Sequence, residues 1–203
     1  MINTPDRDDA NIPPNAPNVA CGDFANEDDS CAAFDAIVES GGFWSVHKEV
    51  NGCSIQNYAF QEAKTYTANG MRFGYRIDRV LVPTNTLIRQ GWKHGPIGVE
   101  LKRSDELFAV PFQQCVDYRR SVFVLPHNFT LYLDLLFVFP YETPTGELAS
   151  LCSQNRIGNA FINTWDGSLK FYCGNDYRLL TQHKDGKVEV GSFKTFGRKA
   201  GAR

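Results

Sequence analysis

Three charged residues stand where strand-forming sequence makes charge expensive. Asp78 interrupts the run Tyr75-Arg76-Ile77-Asp78-Arg79-Val80-Leu81-Val82, and Glu100 and Lys102 flank Leu101 in Ile97-Gly98-Val99-Glu100-Leu101-Lys102. Residues i and i+2 of a strand project to one face, so Glu100 and Lys102 point together while Val99 and Leu101 point away. Charge among such residues is costly unless it is paired or bound to metal. Two carboxylates beside a lysine suit a divalent-metal site for phosphodiester hydrolysis, because the metal neutralises the phosphate and lowers the pKa of a bound water. A hard ion such as Mg2+, with Mn2+ as a substitute, takes oxygen ligands and keeps several waters, so Asp78, Glu100 and the backbone carbonyl of Leu101 suffice to hold it. Lys102 would orient or deprotonate the attacking water and stabilise transition-state charge. The competing reading is a cross-strand salt bridge on a solvated sheet face. Glu49, near the end of a strand-like run, is either a further ligand or an exposed strand-end charge.

The elements that must position these residues follow from periodicity. Asp28, Asp29 and Ser30 are cap candidates for a helix over residues 31–40, stopped by Gly41-Gly42. Residues 43–50 alternate and read as a first strand ended by Asn51-Gly52, residues 75–83 as a second and 97–102 as a third. The polar loop 84–96 between the last two carries Trp92, Lys93 and His94, and Trp92 and His94 are candidates for nucleic-acid contact or ordinary loop residues. Phe112, Cys115 and Val116 recur with helical spacing and place a helix over 109–124. Residues 131–140 read as a buried strand, and 160–164 with 169–173 as a hairpin closed by Trp165-Asp166-Gly167-Ser168. Helix, three strands, helix and strand, with more β at the end, indicate an α/β or α+β domain with a mixed central sheet.

Composition narrows the classes. The 203 residues suit one domain, and 15 Phe, 8 Tyr and 3 Trp supply a core. No apolar run is long enough to span a bilayer and no N-terminal signal pattern is present. Residues 1–27 therefore read as an acidic, Pro- and Asn-rich leader, 28–180 as the folded domain and 181–203 as a basic tail. The net charge of -2 is uneven: eight acids against Arg7 within residues 1–35 leave the remainder basic, which fits a polyanionic partner. None of the six cysteines forms a C-x-x-C pair or a zinc spacing, so reduced thiols in a cytoplasmic protein are expected.

Asp78, followed after a variable loop by Glu100-Leu101-Lys102, resembles the D…E-x-K signature of the PD-(D/E)XK, or restriction-endonuclease-like, nuclease superfamily. The surroundings are similar too: a helix before the first strand, the Asp in Arg-Ile-Asp-Arg-Val-Leu, and the E-x-K in an apolar strand followed by a helix. In that helix Gln114-Cys115-Val116-Asp117-Tyr118 matches the Q-x-x-x-Y element of the RecB-type and lambda-exonuclease-type branch. One departure is the proline of the family name, whose place is held by Arg76-Ile77. The resemblance covers residues 28–140. It implies a three-layer α/β core with a mixed central β-sheet flanked by helices, Mg2+-dependent cleavage of DNA, and Gln114 and Tyr118 positioning the strand. It also implies an acid from the first helix, for which Glu27, Asp35 and Glu39 compete. DNA is the expected partner, in a homo-oligomer or a larger DNA-processing complex and with no membrane. The alternative is a non-catalytic nucleic-acid or protein-binding module on the same fold.

Overall fold

The computed structural model describes residues 24–55, 74–142, 146–173 and 178–191. The leader before residue 24, with Cys21, and the basic residues after 191 lie outside the described residues. Helix α1 (Glu27–Val38) begins at Asn26, whose side chain accepts the Asp29 N–H at 2.8 Å, with Glu27, Asp28 and Asp29 in the first turn where the helix dipole favours acids. Three strands follow: β1 (Trp44–Ser54), β2 (Tyr75–Pro83) and β3 (Ile97–Leu101). A short helix α2 (Asn85–Arg89) lies between the last two. Helix α3 (Ala109–Tyr118) leads to β4 (Ser121–Leu125), β5 (Phe129–Leu131) and β6 (Leu135–Phe139). Helix α4 (Gly146–Gln154) precedes β7 (Ile157–Ile162), β8 (Leu169–Cys173), β9 (Arg178–Gln182) and β10 (Val188–Val190).

The strands form one sheet in the order β10-β9-β8-β7-β6-β3-β2-β1-β4-β5. The pairs β3/β6 and β6/β7 are parallel and the others antiparallel, so the fold is α/β with a ten-stranded mixed sheet. Alternation along β3 and β6 divides the apolar residues between two cores. Ile97, Val99, Leu101, Phe137 and Phe139 join Phe34 and Ile37 of α1 in one. Leu136 and Val138 join Ile77, Val80 and the α3 residues Cys115 and Tyr118 in the other. Gly98 belongs to the second side: a Cβ there would come within 2.7 Å of Ile77, Leu133 and Leu136, so glycine lets these side chains close beneath β3.

Several expectations are corrected. The helix expected over 109–124 ends at Tyr118, because Ser121-Val122-Phe123 pair with Ser54, Cys53 and Gly52 of β1. Their β-branched and aromatic side chains suit that strand, and the tertiary partner decides. Strand β1 runs through Asn51-Gly52 to Ser54, since Gly52 admits the Phe123 ring where a Cβ would stand 2.7 Å from it. The expected strand over 131–140 is two strands, β5 and β6, and the 84–96 loop contains α2. Trp92 is buried edge-on against Trp44 at 5.2 Å, and His94 pairs with Asp134 at 3.2 Å. The basic tail drawn from residue 181 cuts through β9 and includes β10, where Leu180 and Thr181 are buried in the sheet. Likewise Phe24, inside the presumed leader, packs on Phe139. Among the described residues, no helix is long and apolar enough to cross a membrane.

Candidate active site

The site forms where β2 leaves β3 and where its ladder with β1 is interrupted for one pair. The β1/β2 register passes from Lys48↔Arg79 to Val50↔Ile77 and skips Glu49 and Asp78, with Glu49 at a left-handed φ of 50°. The β2/β3 register ends at Arg79↔Val99. Asp78 would stand opposite Glu100 in a continued ladder. Instead its carboxylate bridges the gap, and Oδ2 accepts the Leu101 N–H at 2.7 Å. Glu100 and Lys102 share a face as their spacing requires, with Lys102 Nζ 2.8 Å from Glu100 Oε1. The Lys102 backbone N–H bonds to Phe139 O at 2.9 Å, which pins the end of β3 to β6.

Loops fasten this end of the sheet. Tyr141, just beyond β6, donates its hydroxyl to Glu106 O at 2.8 Å and so holds the segment that follows Lys102. Phe24 and Ser104 exchange two hydrogen bonds of 3.1 Å, which brings the start of α1 to the same place. Of the three first-helix acids, Glu27 is the one whose charge acts on both Asp78 and Lys102. Asp35 is instead taken by Arg79 and Lys48, and Glu39 by Lys48. Sequence periodicity cannot separate these acids, because only the packing angle of α1 does.

The electrostatics of the site are strained. Glu100 is 2% exposed, and its Oε2 is buried without a hydrogen-bond partner. Burial, and then the neighbouring Asp78 charge, push the Glu100 carboxyl up to about 7, only partly offset by Lys102 and by the adjacent Tyr118 hydroxyl. Burial also raises Asp78, against the opposing effects of the Leu101 N–H and the Lys102 charge. Burial alone would lower the Lys102 pKa, but the bond to Glu100 and the charges of Glu100 and Asp78 outweigh it and raise it, so Lys102 is an ammonium. A buried carboxylate and a half-buried one thus share the Lys102 ammonium, with the Arg79 charge also acting on Asp78. Among the described residues no cluster of three or more His, Cys, Asp or Glu is suited to hold a metal ion. The oxygens at hand are those of Asp78 and Glu100 with a main-chain carbonyl such as that of Leu101, a sparse hard-donor set that fits Mg2+ or Mn2+ retaining waters.

The remaining candidates sit differently. Tyr118 is 5% exposed and gives its hydroxyl proton to Arg76 O at 2.8 Å beside Glu100. It therefore backs the carboxylate from within. Gln114, one turn earlier on α3, is half-buried, and its Oε1 has no partner. Glu49 turns toward Arg76, 3.9 Å away, in a solvent-exposed pair. Cys115 lies buried within reach of the Glu100 charge, its thiol pushed well up by desolvation. The five described cysteines are free thiols. No protein-family model matches the chain, and comparison with curated proteins and with solved structures likewise gives no match.

Proposed function

We propose that this chain is a metal-dependent nuclease that hydrolyses phosphodiester bonds of DNA, built on a three-layer restriction-endonuclease-like core. The observation that carries the reading is the buried, unpartnered Glu100 Oε2 near the Asp78 carboxylate, with the Lys102 ammonium on the other Glu100 oxygen. The succession of α1, β1, β2, β3, α3 and β6, interrupted by α2 before β3 and by β4 and β5 before β6, with β6 parallel to β3, supports the architecture. The same proposal places the protein inside the cell, alone or in a homo-oligomer or larger DNA-processing complex.

Asp78 and Glu100 would hold Mg2+ or Mn2+, with the Leu101 carbonyl as a further oxygen and Glu27 adding negative charge at the rim. When bound, the ion supplies charge neutralisation at the phosphate and a water of lowered pKa. Lys102, as an ammonium, donates to a phosphate oxygen and to the charge developing there, and does not serve as the base. Tyr118 fixes Glu100 from behind, and Gln114 positions the strand. The test is cleavage of labelled plasmid and single-stranded DNA with Mg2+ by wild type, Asp78→Ala and Lys102→Ala. Loss in both variants is expected, and unchanged cleavage would remove the site. Metal-independent DNA binding with no cleavage by wild type would favour the binding-module reading.

A further inference from the structure

We infer that Arg79, clamped by Asp35 of α1, is a positioning residue that aims Asp78 at the end of β3. The need arises from the ladder. At Asp78 the β2/β3 ladder has ended and the β1/β2 ladder skips the Glu49/Asp78 pair before resuming at Val50↔Ile77, so Asp78 has no paired residue on either neighbouring strand. Arg79 holds its main chain instead. Its Nη1 donates to the Asp78 carbonyl at 2.7 Å, while Nε and Nη2 grip Asp35 Oδ1 and Oδ2 at 2.8 and 2.9 Å. The fork is rigid and planar, so fixing two of its nitrogens on α1 fixes the third on Asp78. Arg79 is 6% exposed, and its two bonds to Asp35 form the anchor, while the half-exposed Lys48 only adds a contact to Asp35 at 2.7 Å. With its carbonyl held on one side, Asp78 presents its carboxylate to the Leu101 N–H, next to Glu100. A helix 44 positions distant in sequence thereby sets the aim of one site carboxylate. The consequence for catalysis rests on the nuclease reading above, whereas the aiming of Asp78 does not.

Arg79→Lys keeps the charge and removes the fork. Asp35→Asn keeps the shape and weakens the grip, and serves if the first variant does not fold. Lys48→Ala is the control, since it leaves the Arg79–Asp35 fork intact. The primary readout is amide hydrogen exchange at Leu101, referred to the amides of β6. Acceleration of about 10- to 100-fold at Leu101, beyond any change in β6, is expected in Arg79→Lys and not in Lys48→Ala. Mn2+ affinity by calorimetry should fall over the same range, with kcat on DNA lowered and KM unchanged. Leu101 exchange that merely follows β6 would overturn the inference and leave Arg79 a structural ion pair. Selective Leu101 acceleration in a protein whose wild type neither binds Mn2+ nor cleaves DNA would uphold the positioning and sink the nuclease reading alone.

Discussion

Asp78 and Arg79 are neighbours on β2, yet the charges around them are resolved in opposite ways. Around Arg79, Asp35 meets a bidentate guanidinium and an ammonium, and Glu39 shares the same lysine at 3.0 Å. Burial would raise the Asp35 pKa, but its bonds to Arg79 and Lys48 win and hold the carboxyl below the usual range. Around Asp78 its half-buried carboxylate and the buried one of Glu100 face one lysine, Glu100 Oε2 has no hydrogen-bond donor, and Glu100 is held up to about 7. A cluster that satisfies its charges stabilises the fold. One that leaves charge unsatisfied lowers stability, and on the proposed nuclease function a metal ion would relieve it.

The largest effect that would sharpen this contrast is catalytic. On the proposed nuclease function, Asp78→Ala or Lys102→Ala should lower cleavage by about a thousandfold while DNA retention in a low-salt gel shift persists. Next comes stability. Asp35→Ala leaves Arg79 buried without its counter-ion and should cost about 3 kcal/mol in urea unfolding. Glu100→Gln removes a repelling buried charge and should instead raise stability by about 1 kcal/mol as cleavage falls. Equal losses from the two substitutions would erase the distinction between the clusters.

The pH response should separate them as well. Glu100's folded value of about 7 lies above its ordinary 4.5, so the folded protein holds a proton that the unfolded chain releases. Stability therefore falls as pH rises across that window, and Glu100→Gln should flatten the slope. Asp35 has the opposite sign: its contribution is present above the ordinary carboxylate pKa and is lost as pH falls through its lowered value. Urea unfolding across pH reads both. The smallest change is expected from Lys48→Ala, whose side chain is 49% exposed; about 0.5 kcal/mol or less should be lost.

Much of this site was legible along the chain. The i, i+2 spacing of Glu100 and Lys102 holds in the 2.8 Å pair, and the second strand occupies Tyr75–Pro83 as its pattern indicates. Strand β4 was not legible, because Arg119-Arg120-Ser121-Val122 carries no Gly or Pro to mark the end of α3, and only pairing with β1 reveals it. Trp92 looks like a loop aromatic until Trp44 is packed against it. Strands β9 and β10 were hidden by the basic composition around them, which periodicity over three to five residues is too short to override.

The sequence by itself determined which residues share a strand face and which positions carry costly charge, since a period of two and the cost of desolvating charge are local properties. Tertiary structure alone decided that the Glu27 charge and not that of Asp35 acts on Asp78 and Lys102, and that Tyr118 lies beside Glu100. It also decided that Arg79 is locked to α1. Those outcomes depend on where α1 and α3 cross the sheet and on the point where β2 parts from β3. Such distances between elements are set by packing of the whole core, which no short window of sequence contains.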